Sequence, residues 1–190
     1  AHACLLILAL PNDYYRNVKS IYVYPTTIIS PESPIGFFEV PTSPVRGPMP
    51  ILGEAHHRGP VLLVWDEVKR ETRDPEHGHN VVFHEFAHKL DMLDGSADGT
   101  PLLPTPEEYQ RWSEVCSKEY LELCERVEHG RPTFFDSYAA TDEAEFFAVV
   151  TETFFCKPEN MKHQHPKLYQ VLQDFYRQDP AQKVSTNRLP

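Results

Sequence analysis

Basic residues are scarce in this 190-residue chain. Eighteen Lys and Arg stand against 28 Asp and Glu, and the net charge is −10. So acidic a chain grips nucleic-acid phosphates poorly, which argues against direct nucleic-acid binding. Apolar runs are short. None approaches the ~18 residues that mark a membrane-crossing helix. The longest, residues 4–10, has no basic flank and does not read as a signal peptide. Cysteine is sparse: Cys4, Cys116, Cys124 and Cys156, with no CxxC pair. Reduced, core-packed thiols fit better than a disulfide framework, and they favour a cytoplasmic setting. Internal repeats and low-complexity tracts are missing. The chain begins with Ala rather than Met, as a fragment or a processed product would.

What is present is globular. Hydrophobic residues make up 41% and aromatics 12%, enough for one domain over residues 1–190 without a covalent scaffold. The 18 prolines predict a loop-rich first third. Residues 20–25 (SIYVYP) alternate and read as a strand, residues 36–40 as a second, and residues 61–65 (VLLVW) as a third. Residues 41–50 read as loop, and residues 67–73 as a short helix. Helices follow. One covers residues 80–93, with Gly95 placed to end it. Thr105, Pro106 and Glu108 open another that runs to Glu128 and stops at Gly130. A third covers residues 142–156 and ends before Pro158. A last one starts at Pro166 and stops before Pro180. Strands first and helices after predict an α+β domain, a small N-terminal sheet followed mostly by helices.

The residues that carry chemistry are His84-Glu85-Phe86-Ala87-His88. Four residues apart on a helix is one turn along the axis and ~40° around it, so both imidazoles can face one metal ion. Glu85 lies ~100° away, suited to act as general base on a water beside that metal. Chance placement of this chain's histidines and glutamates gives about 0.05 such motifs. Two histidines and a glutamate on an otherwise apolar helix are also costly without a partner.

A catalytic zinc takes a third protein ligand and keeps a position open. Asp94 stands six residues after His88, but the glycine that would turn the chain back between them is replaced by Asp91. The other possibility is the helix of residues 142–156, where Glu145 and Glu152 sit seven apart on one stripe. Spacing alone leaves these open.

The run His84 to Gly95, continued by Ala97-Asp98-Gly99-Thr100-Pro101, resembles the Mlc titration factor family of bacterial zinc peptidases. Gly59-Pro60-Val61, Trp65-Asp66, Gly78-His79-Asn80-Val81-Val82, Glu145-Phe146-Phe147-Ala148-Val149 and His165-Pro166-Lys167-Leu168-Tyr169 agree with it. The resemblance implies a zincin-like fold of the gluzincin type, its core similar to that of anthrax lethal factor. It implies one zinc per chain on His84, His88 and Glu145. It makes Glu85 the catalytic base and Tyr138, seven residues before Glu145, the group that stabilises the oxyanion. It implies aminopeptidase-like hydrolysis of small peptide substrates and binding of the Mlc transcription repressor. The family usually has a longer N-terminal segment, which this sequence lacks. A repressor-titrating protein with vestigial catalysis is the rival expectation.

Asp91, Asp94 and Asp98 read either as carboxylates orienting the zinc histidines or as ordinary turn residues, with Asp91 the best placed for the former. His56, His57, His77 and His79 read as loop histidines. Residues 61–65 read equally as a core strand or as an edge that holds a peptide.

Overall fold

The computed structural model describes residues 1–10, 14–26, 28–29, 50–51, 53–55, 59–73 and 78–182. The expected strand at residues 36–40, the expected loop up to residue 49, and His56, His57 and His77 lie outside the described residues.

A short helix α1 (His2–Leu6) precedes the strands β1 (Ile21–Tyr24), β2 (Ile28–Ile29), β3 (Pro50–Ile51), β4 (Gly53–Ala55) and β5 (Val61–Val64). Three of them form a sheet in the order β1-β5-β4. β1 runs parallel to β5, Ile21 opposite Val61, and β4 runs antiparallel to it. β2 and β3 make a separate antiparallel pair. Pro50 therefore opens a strand instead of closing the loop, at a first position where a missing N–H is tolerated.

β5 is the central strand. Val61, Leu63 and Val64 are buried, as a continuous apolar run requires. The reading of residues 61–65 as a peptide-holding edge is thus overturned, because β5 is paired on both sides; among the described residues the edges are β1 and β4. All four side chains of β1 are exposed. Trp65 does not belong to the strand but opens α2 (Trp65–Arg73).

Among the described residues the remaining elements are helical: α3 (Val81–Asp91), α4 (Pro106–Glu128), a 3-10 turn (Ser137–Ala140), α5 (Glu143–Cys156), α6 (Pro158–Gln164) and α7 (Pro166–Tyr176). The mostly helical chain with a small sheet agrees with an α+β class. The helix start expected at Thr105 holds, and Asp142 caps the next long helix. Thr105 accepts from Glu108 N, and Asp142 accepts from Glu145 N at 2.9 Å. Pro158 does more than end α5. It opens α6 at the first helical position, as Pro166 opens α7, where the lost N–H would be unpaired anyway.

α3 and α5 pack against each other, with Phe83 stacked on Phe155 at 5.0 Å, and the two helices give one buried core Phe86, Ala87, Leu90, Phe146, Phe147 and Phe154. α4 adds Trp112, and α7 adds Leu168, Leu172 and Phe175. Gly99 locks the loop after α3 onto the start of α5. Its φ is +73°, and a Cβ there would come within 2.2 Å of the Glu143 carbonyl oxygen. Trp112 Nε1 donates to its carbonyl at 3.1 Å. Cys4 is exposed, and Cys116, Cys124 and Cys156 are half-buried free thiols rather than full core residues. Among the described residues no helix is long and apolar enough to cross a membrane.

Candidate metal centre

α3 is held at its N-terminus by three acceptors. Asn80 Oδ1 accepts from Phe83 N at 3.1 Å, Glu71 Oε2 from Val81 N at 2.6 Å, and Glu152 Oε2 from Asn80 N at 2.6 Å. These satisfy N–H groups that a helix start leaves unpaired, and negative charge is favoured there. The helix is buried nearly all round, so His84 and His88 point into protein, toward α5.

There they meet Glu145, from the first turn of α5. Glu145 Oε2 lies 2.9 Å from His84 Nε2 and 3.5 Å from His88 Nε2, and the two Nε2 atoms are 3.2 Å apart. Among the described residues, His84, His88 and Glu145 form the group of metal-ligating type whose donor atoms converge. Bonds of ~2.05 Å at a tetrahedral zinc would separate adjacent ligand atoms by about 3.3 Å, close to what is found. Glu145 Oε2 is buried and no donor meets it with hydrogen-bond geometry. The residues present therefore fit a metal ion.

The electrostatics point the same way. Burial disfavours charge on His84, but Glu145 and Glu152 outweigh it and lift its pKa to about 10. Burial pushes the Glu145 carboxyl up, but His84 and His88 outweigh it and hold the group well below the usual carboxylate range. The centre thus favours positive charge, be it proton or metal.

Glu85 is 4% exposed, and its charge acts on both His84 and the Tyr138 hydroxyl. Tyr138 comes from the 3-10 turn, is half exposed, and donates its hydroxyl to Glu145 Oε1 at 3.1 Å. Burial and Glu145 push its pKa to about 12, so it stays protonated and remains a donor. Asp94 is absent from the cluster. It accepts from Ser96 N in an exposed turn, and Asp98 caps Thr100 N in the same way. Asp91 is fully buried and its Oδ2 accepts from Gly99 N at 3.1 Å, so it ties down the loop. His79 stands 3.4 Å from Asp136 at the surface.

Glu152, a candidate ligand by its spacing, instead meets the far side of His84, a place that spacing does not reveal: its Oε1 lies 2.7 Å from Nδ1. The seven-residue offset from Glu145 places both carboxylates on the face turned to α3.

Comparison with known proteins agrees with this geometry. Residues 1–177 match the model of a family described as glucose-regulated metallo-peptidase M90. An uncharacterised protein of Synechocystis is 41% identical over 95% of this chain and 65% of its own length. Proteins named Mlc titration factor A match as well. That of Salmonella schwarzengrund is 31% identical over 97% of this chain and 68% of its own, and that of Klebsiella pneumoniae 32% over 98% and 69%. The chain thus spans about two thirds of the length of these relatives. A family whose members are metal-using hydrolases of peptides accounts for two histidines and a glutamate drawn together in this core, and the chain belongs to the glucose-regulated metallo-peptidase M90 family.

Proposed function

We propose that the chain is a zinc-dependent peptidase with a zincin-like fold, one catalytic domain over residues 1–190. In this reading His84, His88 and Glu145 hold one zinc ion, and Glu85 and Tyr138 act on the peptide bond. The observation that carries it is the meeting of two imidazole Nε2 atoms and a carboxylate oxygen within 3.5 Å of one another. Two His and one Glu are a donor set typical of catalytic zinc with one position left for chemistry. Bound zinc would supply Lewis-acid polarisation at that position. The side chains do the rest. Glu85 takes a proton from the attacking water and returns it to the amine nitrogen as the C–N bond breaks. The Tyr138 hydroxyl turns from Glu145 to the carbonyl oxygen and donates to it as negative charge develops. Substrates are small peptides, cleaved in an aminopeptidase-like way, in a cytoplasm where four free thiols persist.

The name carried by several relatives supports a second reading, in which the chain also binds a transcription repressor of the Mlc type. The two activities separate on one variant. Glu85→Gln removes the base and leaves the surface unchanged, so repressor binding survives while hydrolysis does not.

The deciding experiment is zinc content per chain by elemental analysis, on the parent and on Glu145→Ala. One zinc in the parent and a large loss in the variant support the site. Zinc retained in the variant moves the third ligand to another carboxylate. No zinc in either, with zinc supplied, leaves the repressor-binding reading ahead.

A further inference from the structure

We propose that Glu152 is the positioning residue of this centre: it holds the His84 ring with a hydrogen on Nδ1 and in the orientation that turns Nε2, the nitrogen left for the metal, toward Glu145 and His88. The inference rests on the reading that His84, His88 and Glu145 bind a metal.

Glu152 is 4% exposed, in the middle of α5 and beside the fully buried Thr151. A carboxylate there is costly unless its oxygens are taken. Both are. Oε1 lies 2.7 Å from His84 Nδ1, and Oε2 accepts from Asn80 N at 2.6 Å. An ionised carboxylate only accepts, so the hydrogen must sit on Nδ1. A neutral imidazole with its hydrogen on Nδ1 has a lone pair on Nε2. That is the nitrogen that meets Glu145 Oε2 at 2.9 Å.

The second oxygen sharpens the point. Asn80 is the residue that caps α3, and the His84 N–H donates to the Asn80 carbonyl at 3.0 Å. One carboxylate therefore spans the helix start and the ring one turn later, and sets the ring against a fixed backbone point. His88 has no such partner. Its Nδ1 is buried and makes no hydrogen bond among the described residues. The two histidines of one motif are thus unequally prepared, and Glu152 is the cause of the difference. A carboxylate that fixes a ligating histidine in this way is typically worth 10–100-fold in metal affinity.

The test uses the full chain, stripped of metal, with zinc affinity measured by chelator competition on the parent, Glu152→Ala and Glu152→Gln. Both variants are expected to bind about 10–100-fold more weakly and still to reach one zinc per chain at saturation. Melting of the metal-free chains, followed in parallel, reports the lost contact to Asn80. A purely structural role lowers that melting temperature and leaves zinc affinity unchanged. A folded variant of either kind that binds zinc as tightly as the parent overturns the proposal. The near-isosteric glutamine variant carries the test if the alanine variant does not fold. The parent alone gives a further readout. In the zinc-loaded, nitrogen-15-labelled chain, the His84 Nδ1 proton is expected downfield and slower to exchange with water than that of His88. Equal exchange, or zinc on Nδ1 of His84, overturns the assignment. A parent that binds no zinc overturns the metal centre itself, so the two failures are told apart.

Discussion

Two turns of α5 bring a glutamate to the same histidine, and they do different things with it. Glu145, in the first turn, is partly exposed, and its Oε2 faces the Nε2 atoms of His84 and His88. Its other oxygen takes the Tyr138 hydroxyl. Glu152, two turns deeper, is almost wholly buried, and its oxygens are met by His84 Nδ1 and Asn80 N. The side chain, the helix and the stripe are the same. The role is set by which imidazole nitrogen each carboxylate meets, and by whether any of its lone pairs is left over. Glu145 keeps a buried oxygen without a hydrogen bond, whereas Glu152 keeps none. An oxygen left over is available to a metal, and a satisfied one orients its neighbour.

The sharpest way to break this contrast is to damage each turn in turn. Glu145→Ala is expected to lose peptide hydrolysis at every zinc concentration. Glu152→Ala is expected to regain most of it when zinc is in excess. Equal rescue of both would erase the distinction. Next in size is Glu85→Gln, which belongs to neither turn. With zinc content unchanged, it should lower kcat by about 10³-fold. Retained activity in a zinc-loaded variant would remove Glu85 from the role of base. Tyr138 is tied to the Glu145 turn, and its removal should be milder. Tyr138→Phe is expected to reduce kcat ~10²-fold while leaving zinc stoichiometry at that of the parent. An unchanged kcat would limit the hydroxyl to holding Glu145.

The smallest effect concerns Asp91, which lies one turn beyond His88 on α3. Burial pushes its pKa from 3.8 to about 6, against the hydrogen bond from Gly99. The folded chain then holds this proton more tightly than the unfolded chain does. The stability gained is full below pH ~4 and is lost as pH rises through about 6. Urea midpoints of the metal-free chain should therefore fall across that window in the parent and less so in Asp91→Asn. Identical slopes would remove Asp91 as the source.

Much of the centre was legible in the residues. Asn80, Thr105 and Asp142 are strong caps, so the starts of α3, α4 and α5 could be read from local chemistry. The spacing of His84 and His88 needed only the helical period. Other parts were not legible, for identifiable reasons. The 3-10 turn that presents Tyr138 spans four residues, too few for any periodicity to show. α6 hides behind Pro158, because a proline that ends one helix can equally open the next. The central place of β5 could not be told from an edge, since a short apolar run fits both.

By itself the sequence determined which donors exist and how they are spaced along each helix: His84 with His88, and Glu145 with Glu152. Those offsets follow from the backbone period, which is local. The tertiary structure alone decided that Glu145 meets the Nε2 side and Glu152 the Nδ1 side. That choice depends on the depth and angle at which α5 crosses α3. The crossing is set by side chains of one buried core finding room together, Phe83 of α3 stacked on Phe155 of α5 at 5.0 Å among them, a packing of residues some seventy positions apart that no local pattern encodes.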